Sequence, residues 1–131
     1  MKKAVELARE SADNGEIPVG AVVVEKNRII GMGRNRQIED NDPTAHAEVV
    51  ALRRACRYKK NYRLDGSKLF STVKPCDMCR EAIKRARIVK VIFSTKAAKP
   101  ASHHPRHEKL NFYSEECKVL MKSFFKEKRN K

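Results

Sequence analysis

The chain has 131 residues, 40% hydrophobic, with 30 Lys or Arg against 16 Asp or Glu, a net charge of +14. That length suits one domain with one core. No run of eighteen apolar residues occurs, which argues against a membrane span. Lys2 and Lys3 lead into Glu6, Arg9, Glu10 and Asp13 rather than an apolar stretch, which argues against a secretory leader and for the cytoplasm. A pI near 9.9 is the electrostatic footprint of a nucleic-acid binder. Charge alone fits a merely soluble, lysine-rich surface equally well.

In chain order, Ala4, Val5, Ala8 and Ala12 recur at helical spacing and Gly15 suits a stop, so residues 2–14 read as a helix. Ile17-Pro18-Val19-Gly20 is a connector. Ala21–Glu25 reads as an apolar strand, Lys26-Asn27 as a turn, and Arg28–Met32 as its antiparallel neighbour. Gly33–Arg36 is expected to leave the sheet for a polar loop ending at Asp42, a place where binding residues gather. Thr44–Arg57 reads as a second helix with Ala47, Val50, Ala51 and Ala55 as its apolar stripe. Tyr58–Gly66 is a basic loop holding two tyrosines. Lys68–Val73 is a third strand, Cys76–Arg85 a third helix and Lys90–Ser94 a fourth strand. Residues 95–113 show no period. Ser114 is the expected N-cap of a last helix, with Glu115 and Glu116 in its first turn and Cys117, Leu120, Met121 and Phe124 as its stripe. Alternating strands and helices indicate an α/β fold, a three-layer α/β/α sandwich with a mixed central sheet.

Three residues carry zinc-ligand chemistry together: His46, Cys76 and Cys79. Cysteines three apart on a helix present both sulfurs on one face. One imidazole and two thiolates leave a tetrahedral zinc one position for water, which is the pattern of a catalytic rather than a structural site. Glu48, two residues beyond the histidine, is the candidate to move protons to and from that water. A redox pair would not need a histidine-x-glutamate element thirty residues earlier. A structural site would need a fourth ligand, and neither Cys56 nor the later histidines have the local spacing for it. Cys56 and Cys117 read as buried, reduced thiols.

Histidine-x-glutamate followed by proline-cysteine-x-x-cysteine, here His46-Ala47-Glu48 and Pro75–Cys79, is the signature of zinc-dependent nucleobase deaminases. Asp42–Glu48, Gly15–Ala21 and Asn61-Tyr62-Arg63-Leu64 narrow this: the chain resembles the bacterial tRNA-specific adenosine deaminases. The resemblance runs from about the N-terminus to Phe93 and resumes near Ser114. It implies a cytidine-deaminase-like fold, one zinc ion, hydrolysis of the wobble adenosine of a tRNA anticodon stem-loop to inosine, and a homodimer. Asn35, whose amide both donates and accepts, is suited to read a base edge, and the resemblance puts it in the base pocket. Val19, the backbone of Ala47 and Pro75 line that pocket by resemblance only.

Other features pull on the substrate. Basic residues concentrate at Arg53–Arg63, at Arg80–Lys90 and in the tail, and Lys96 is a candidate phosphate contact. His103, His104 and His107 are read as a polar loop over the site or solvated surface, with a second metal site as the alternative. Lys74 stands where the family usually has glutamate, and a cation there would favour ionised thiols. The segment between Thr95 and Tyr113 is shorter than the family's. Two other readings therefore stand beside the first: a deaminase of a free base or nucleoside such as guanine or cytosine, and a catalytically silent, zinc-stabilised RNA-binding subunit.

Overall fold

Lys26 and Asn27 both have positive φ, 49° and 63°, the backbone of a two-residue hairpin turn whose twist matches its strands. This turn sets β1 (Gly20–Glu25) antiparallel to β2 (Arg28–Arg34). The computed structural model describes residues 1–95, 107–109 and 113–129. The further elements are α1 (Lys2–Asp13), α2 (Ala47–Lys59), β3 (Lys68–Val73), α3 (Asp77–Arg85), β4 (Lys90–Thr95), β5 (His107–Lys109) and α4 (Ser114–Arg129). The sheet order is β2-β1-β3-β4-β5, with the β1 pairings antiparallel and the β3–β4 and β4–β5 pairings parallel. This is the expected mixed sheet.

Glycines decide how the layers seat. A side chain at Gly20 would strike the backbone of Ala4 and Ala8, so α1 lies directly on that face of β1. Side chains at Gly31 and Gly33 would strike the backbone of α2 on the opposite face. Residues two apart in a strand share a face, so these two glycines form one flat track for α2. Ala47, Ala51 and Ala55, all fully buried, complete the close approach from the helix side. The core on this face joins them to Val23, Leu64, Leu69, Ile83 and Val91. α3 packs beside α2, while α4 packs on β4 and α1, and Arg9 pairs with Glu116 across α1 and α4. Helices therefore cover both faces. No helix of the described residues is long and apolar enough to cross a membrane.

Several boundaries differ from the sequence reading. β2 continues through Gly33 and Arg34, because both pair with β1. α2 starts at Ala47 rather than Thr44: Asp42 Oδ1 accepts from the Thr44 amide at 2.8 Å and from its hydroxyl at 2.7 Å, which holds Thr44 in a turn. α3 starts one residue after Cys76. Ser114 lies inside α4, not before it. The Tyr113 carbonyl accepts from the Cys117 amide, and the Ser114 hydroxyl has no partner among the described residues. β5 was not foreseen. Its three residues, His-Glu-Lys, carry no alternation, and only pairing with the edge of β4 defines them as a strand. Cys117 is buried, but Cys56 is only half-buried. His103, His104 and Lys96 lie outside the described residues, and of His107 the backbone alone is described.

Substituting Gly33 by alanine would place a Cβ 2.3 Å from the Ala47 carbonyl oxygen and 2.5 Å from the Ala51 amide nitrogen. Backbone cannot yield as a side chain tip does. Urea unfolding should show a loss of about 1–3 kcal/mol, and unchanged stability would mean that α2 is not seated as described.

Candidate active site

His46 is the N-cap of α2, with an extended backbone (φ −70°, ψ 150°). Cys76 is the N-cap of α3, also extended (φ −72°, ψ 173°). Two helix N-termini thus meet at one place. Each carries partial positive charge, which favours anionic ligands there. His46 Nδ1 lies 3.6 Å from Cys76 Sγ and 3.5 Å from Cys79 Sγ, and all three ligand atoms lie within 4.8 Å of one another.

These distances test the fit to zinc. Tetrahedral zinc with ordinary Zn–S and Zn–N bonds separates a sulfur from a nitrogen by about 3.5 Å. The observed spacings match, and one nitrogen with two soft sulfurs is the donor set that zinc takes. Among the described residues no fourth histidine, cysteine or carboxylate joins the group. Cys56 sits in the last turns of α2 with its thiol 3.7 Å from the Tyr62 carbonyl, and Cys117 is on α4, so neither closes the site.

The charge states suit metal capture. Hydrogen bonds from Cys79 and His46 pull Cys76 down to about 3, so it is a thiolate without metal. Cys79 is raised because its thiol hydrogen-bonds to the Cys76 sulfur and because it is buried. His46 is raised by its hydrogen bond to Cys76. Glu48, in the first turn of α2, is 4% exposed. Burial pushes its carboxyl up to about 7, against a backbone hydrogen bond that favours the charged form. A carboxyl held there can both take and give a proton near neutral pH.

Asn35 follows from strand alternation. Gly33 faces α2, Arg34 faces α1 and Asn35 faces α2 again. Its Oδ1 accepts from the Ala47 amide at 3.1 Å, and its main-chain amide donates to the Val19 carbonyl at 3.2 Å. Val19, Ala47 and Pro75 are all buried. The structure therefore brings Val19, Asn35 and Ala47 together beside His46, with the Ala47 amide engaged by Asn35. Pro75 adjoins Cys76, and the Lys74 amide before it donates to Thr95 on β4.

The loop after Asn35 is pinned on every side. Glu16, 1% exposed, accepts from the Ile38 amide at 3.1 and 3.2 Å and from the Glu39 amide at 2.8 Å. Arg34 grips Glu39 with two hydrogen bonds of 2.6 and 3.1 Å. Arg36 holds Asp40, and Ser11 Oγ donates to the Asn35 carbonyl at 3.1 Å.

Sequence reasoning missed three residues here. Glu16 and Gln37 lie in polar stretches where nothing marks them out, although Glu16 falls within the quoted Gly15–Ala21 motif. Arg80 was grouped with an exposed basic run. It is 4% exposed, its Nη1 donates to Asp77 Oδ1 at 3.2 Å, and its Nε has no partner among the described residues. Lys74 places its ammonium 5.7 Å from the centre of the Phe93 ring, a cation–π contact. The Cys76 thiolate owes its low pKa to Cys79 and His46 instead.

Residues 1–95 match the family described as the cytidine and deoxycytidylate deaminase zinc-binding region. The chain belongs to this deaminase family. The deaminase is 42% identical to the tRNA-specific adenosine deaminase of Buchnera aphidicola subsp. Baizongia pistaciae over 98% of its own length and 88% of the relative's. It is 39% identical to the enzyme of that name in Haemophilus influenzae, over 98% and 83%. A solved structure from work on A-to-I editing by tRNA:A34 deaminases at the wobble position superposes with a TM-score of 0.86 at 32% identity, covering 92% of this chain and 96% of the other. The guanine deaminase of Bacillus subtilis superposes at 0.71 with 33% identity, over 99% and 91%. The deaminase takes one zinc ion, and His46, Cys76 and Cys79 form a group positioned to bind it.

Replacing Cys76 by alanine should reduce bound zinc from one equivalent to near zero after dialysis, by elemental analysis. Glu48→Ala should keep its zinc. Full occupancy in Cys76→Ala would remove that thiol from the ligand set.

Proposed function

We propose that this deaminase converts adenosine at the wobble position of a tRNA anticodon to inosine, with release of ammonia. The observation that carries the reading is the convergence of a zinc-ligand triangle, a buried carboxyl and Asn35 at the N-terminus of α2. Curated relatives matched along nearly the whole chain and named for this reaction support the substrate. A net charge of +14 supports a polyanionic partner. Arg57, Lys60 and Arg63 stand exposed at the far end of α2 and in the loop after it. A single-stranded loop base can be splayed into a pocket while the basic surface holds its phosphates.

Zinc bound at the triangle would activate water as a nucleophile at neutral pH. The remaining work falls to side chains. Glu48 takes the proton from the attacking water and delivers it to the ring nitrogen beside C6. Glu48 then takes the second proton from the hydroxyl now on C6 and gives it to the departing amino group, so that oxygen stays on C6 as a carbonyl and ammonia leaves. Attack and departure share one carbon, so one carboxyl serves both steps. Asn35 still has an N–H on Nδ2 to offer a base edge, since Oδ1 is taken by Ala47. Burial around Glu48 excludes bulk water from the proton path.

We propose further that the whole chain is one deaminase domain acting in the cytoplasm as a homodimer. A groove of about 460 Å³ between α2 and α3, lined by Val49, Leu52, Cys56, Ala82 and Ala86 together with Arg53, Arg57, Tyr62 and Arg85, offers a face for a second copy. Light scattering should then give twice the chain mass.

One observation favours deamination of a free base: the 33% identity to a guanine deaminase. The silent-subunit reading finds no support at Glu48, which is intact and buried. Ammonia release should occur with an anticodon stem-loop carrying adenosine and not with free guanine, cytosine, cytidine or adenosine. The rate should fall steeply between 50 and 200 mM salt as phosphate contacts are screened. Glu48→Ala should lower turnover by about 10²–10⁴-fold with zinc retained. Turnover on a free base alone would replace the tRNA reading.

A further inference from the structure

Gln37 is half-buried in the polar loop between β2 and α2, and no part of the reaction above uses it. Its side-chain amide reaches three partners. Oε1 accepts from Asn35 Nδ2 at 3.1 Å. Nε2 donates to the Pro43 carbonyl at 3.1 Å. The same Nε2 lies 3.3 Å from His46 Nε2, the ring nitrogen turned away from the sulfurs. One amide thus touches both a metal ligand and the candidate base reader.

We propose that Gln37 is a positioning residue that orients His46 for the metal and Asn35 for the base. The inference rests on the zinc reading of the triangle, but not on which substrate is used. His46 faces the thiols with Nδ1. Metal on Nδ1 uses that lone pair, so the ring's proton must sit on Nε2. A ligating imidazole needs an acceptor for that proton, which fixes its tautomer and ring angle. Gln37 is the side chain standing there. A half-turn about its last bond presents oxygen to His46 and gives up the hydrogen bonds from Asn35 Nδ2 and to the Pro43 carbonyl.

That half-turn has a consequence at Asn35. The Ala47 amide fixes Asn35 with Oδ1 inward. Once Gln37 gives its oxygen to His46, it no longer accepts from Asn35 Nδ2. Asn35 is then held by the Ala47 amide, and the N–H that faced Gln37 loses that acceptor. One glutamine oxygen cannot serve both neighbours equally, whereas a carboxylate at this position offers two acceptors and satisfies both.

Two variants test this, Gln37→Leu and Gln37→Glu. The position is half exposed, so neither should unfold the chain, and thermal melts of both serve as the check. Zinc affinity is read by competition with a chromogenic chelator, with no substrate present. Gln37→Leu should bind zinc about 10–100-fold more weakly. Gln37→Glu should bind it at least as tightly as the parent. At saturating zinc, Gln37→Leu should raise KM for the stem-loop more than it lowers kcat. Parental zinc affinity in Gln37→Leu, or equal weakening in both variants, overturns the proposal. A zinc shift as expected in a chain that deaminates no RNA would leave Gln37's role standing and remove the tRNA reading instead.

Discussion

The site depends on how closely α2 lies on β2. Two strand glycines and three helix alanines remove every side chain from that contact. The axis of α2 is thereby fixed, and with it the place where its first residue emerges. His46 and Cys76 are the last extended residues before two helices that pack side by side. Each leaves its side chain free to point along the helix axis rather than away from it. That explains how His46 and Glu48, two apart in sequence, serve one pocket: one lies just outside the helix and the other in its first turn. A helix beginning at Thr44 would have wound His46 into the barrel of α2.

Charge at the site is arranged before any metal arrives. One proton is shared between two cysteines, and the exposed sulfur holds the negative charge while the buried one stays neutral. Two helix ends and the His46 ring surround that charge with positive potential. The nearby carboxyl sits in a drier environment and keeps a pKa suited to proton exchange. Cys76 and Glu48 thus differ in ionisation, because hydrogen bonds from Cys79 and His46 hold the thiolate while burial holds the carboxyl up.

Much of this was legible in the sequence because it is written in local pattern. The third strand is read and found at Lys68–Val73, and the stripe of Ala47, Val50, Ala51 and Ala55 is the buried face of α2. The metal ligands were legible because only a few residue types bind zinc and their spacing is short. What escaped depends on contacts across the fold. β5 exists only through its neighbour. Arg80's burial reflects what packs over α3, which a basic run does not disclose. Thr44 and Ser114 look like helix starters, yet a turn at Asp42 and a carbonyl at Tyr113 displace them. Gln37 and Glu16 are ordinary polar residues until the chain brings their partners within 3 Å or so.

Arg34 and Asn35 point to opposite sides of the sheet. The pocket wall is therefore fastened from behind. Glu10 and Ser11 of α1 reach Arg34 and the Asn35 carbonyl, and Glu16, just past α1, holds the loop that follows. The first sixteen residues thus anchor Arg34, Asn35 and the loop that follows. Shortening the chain at its N-terminus would leave the zinc triangle on α2 and α3 in place while the wall facing it lost its anchorage. The zinc triangle and the wall beside it are thus supported by different lengths of the polypeptide.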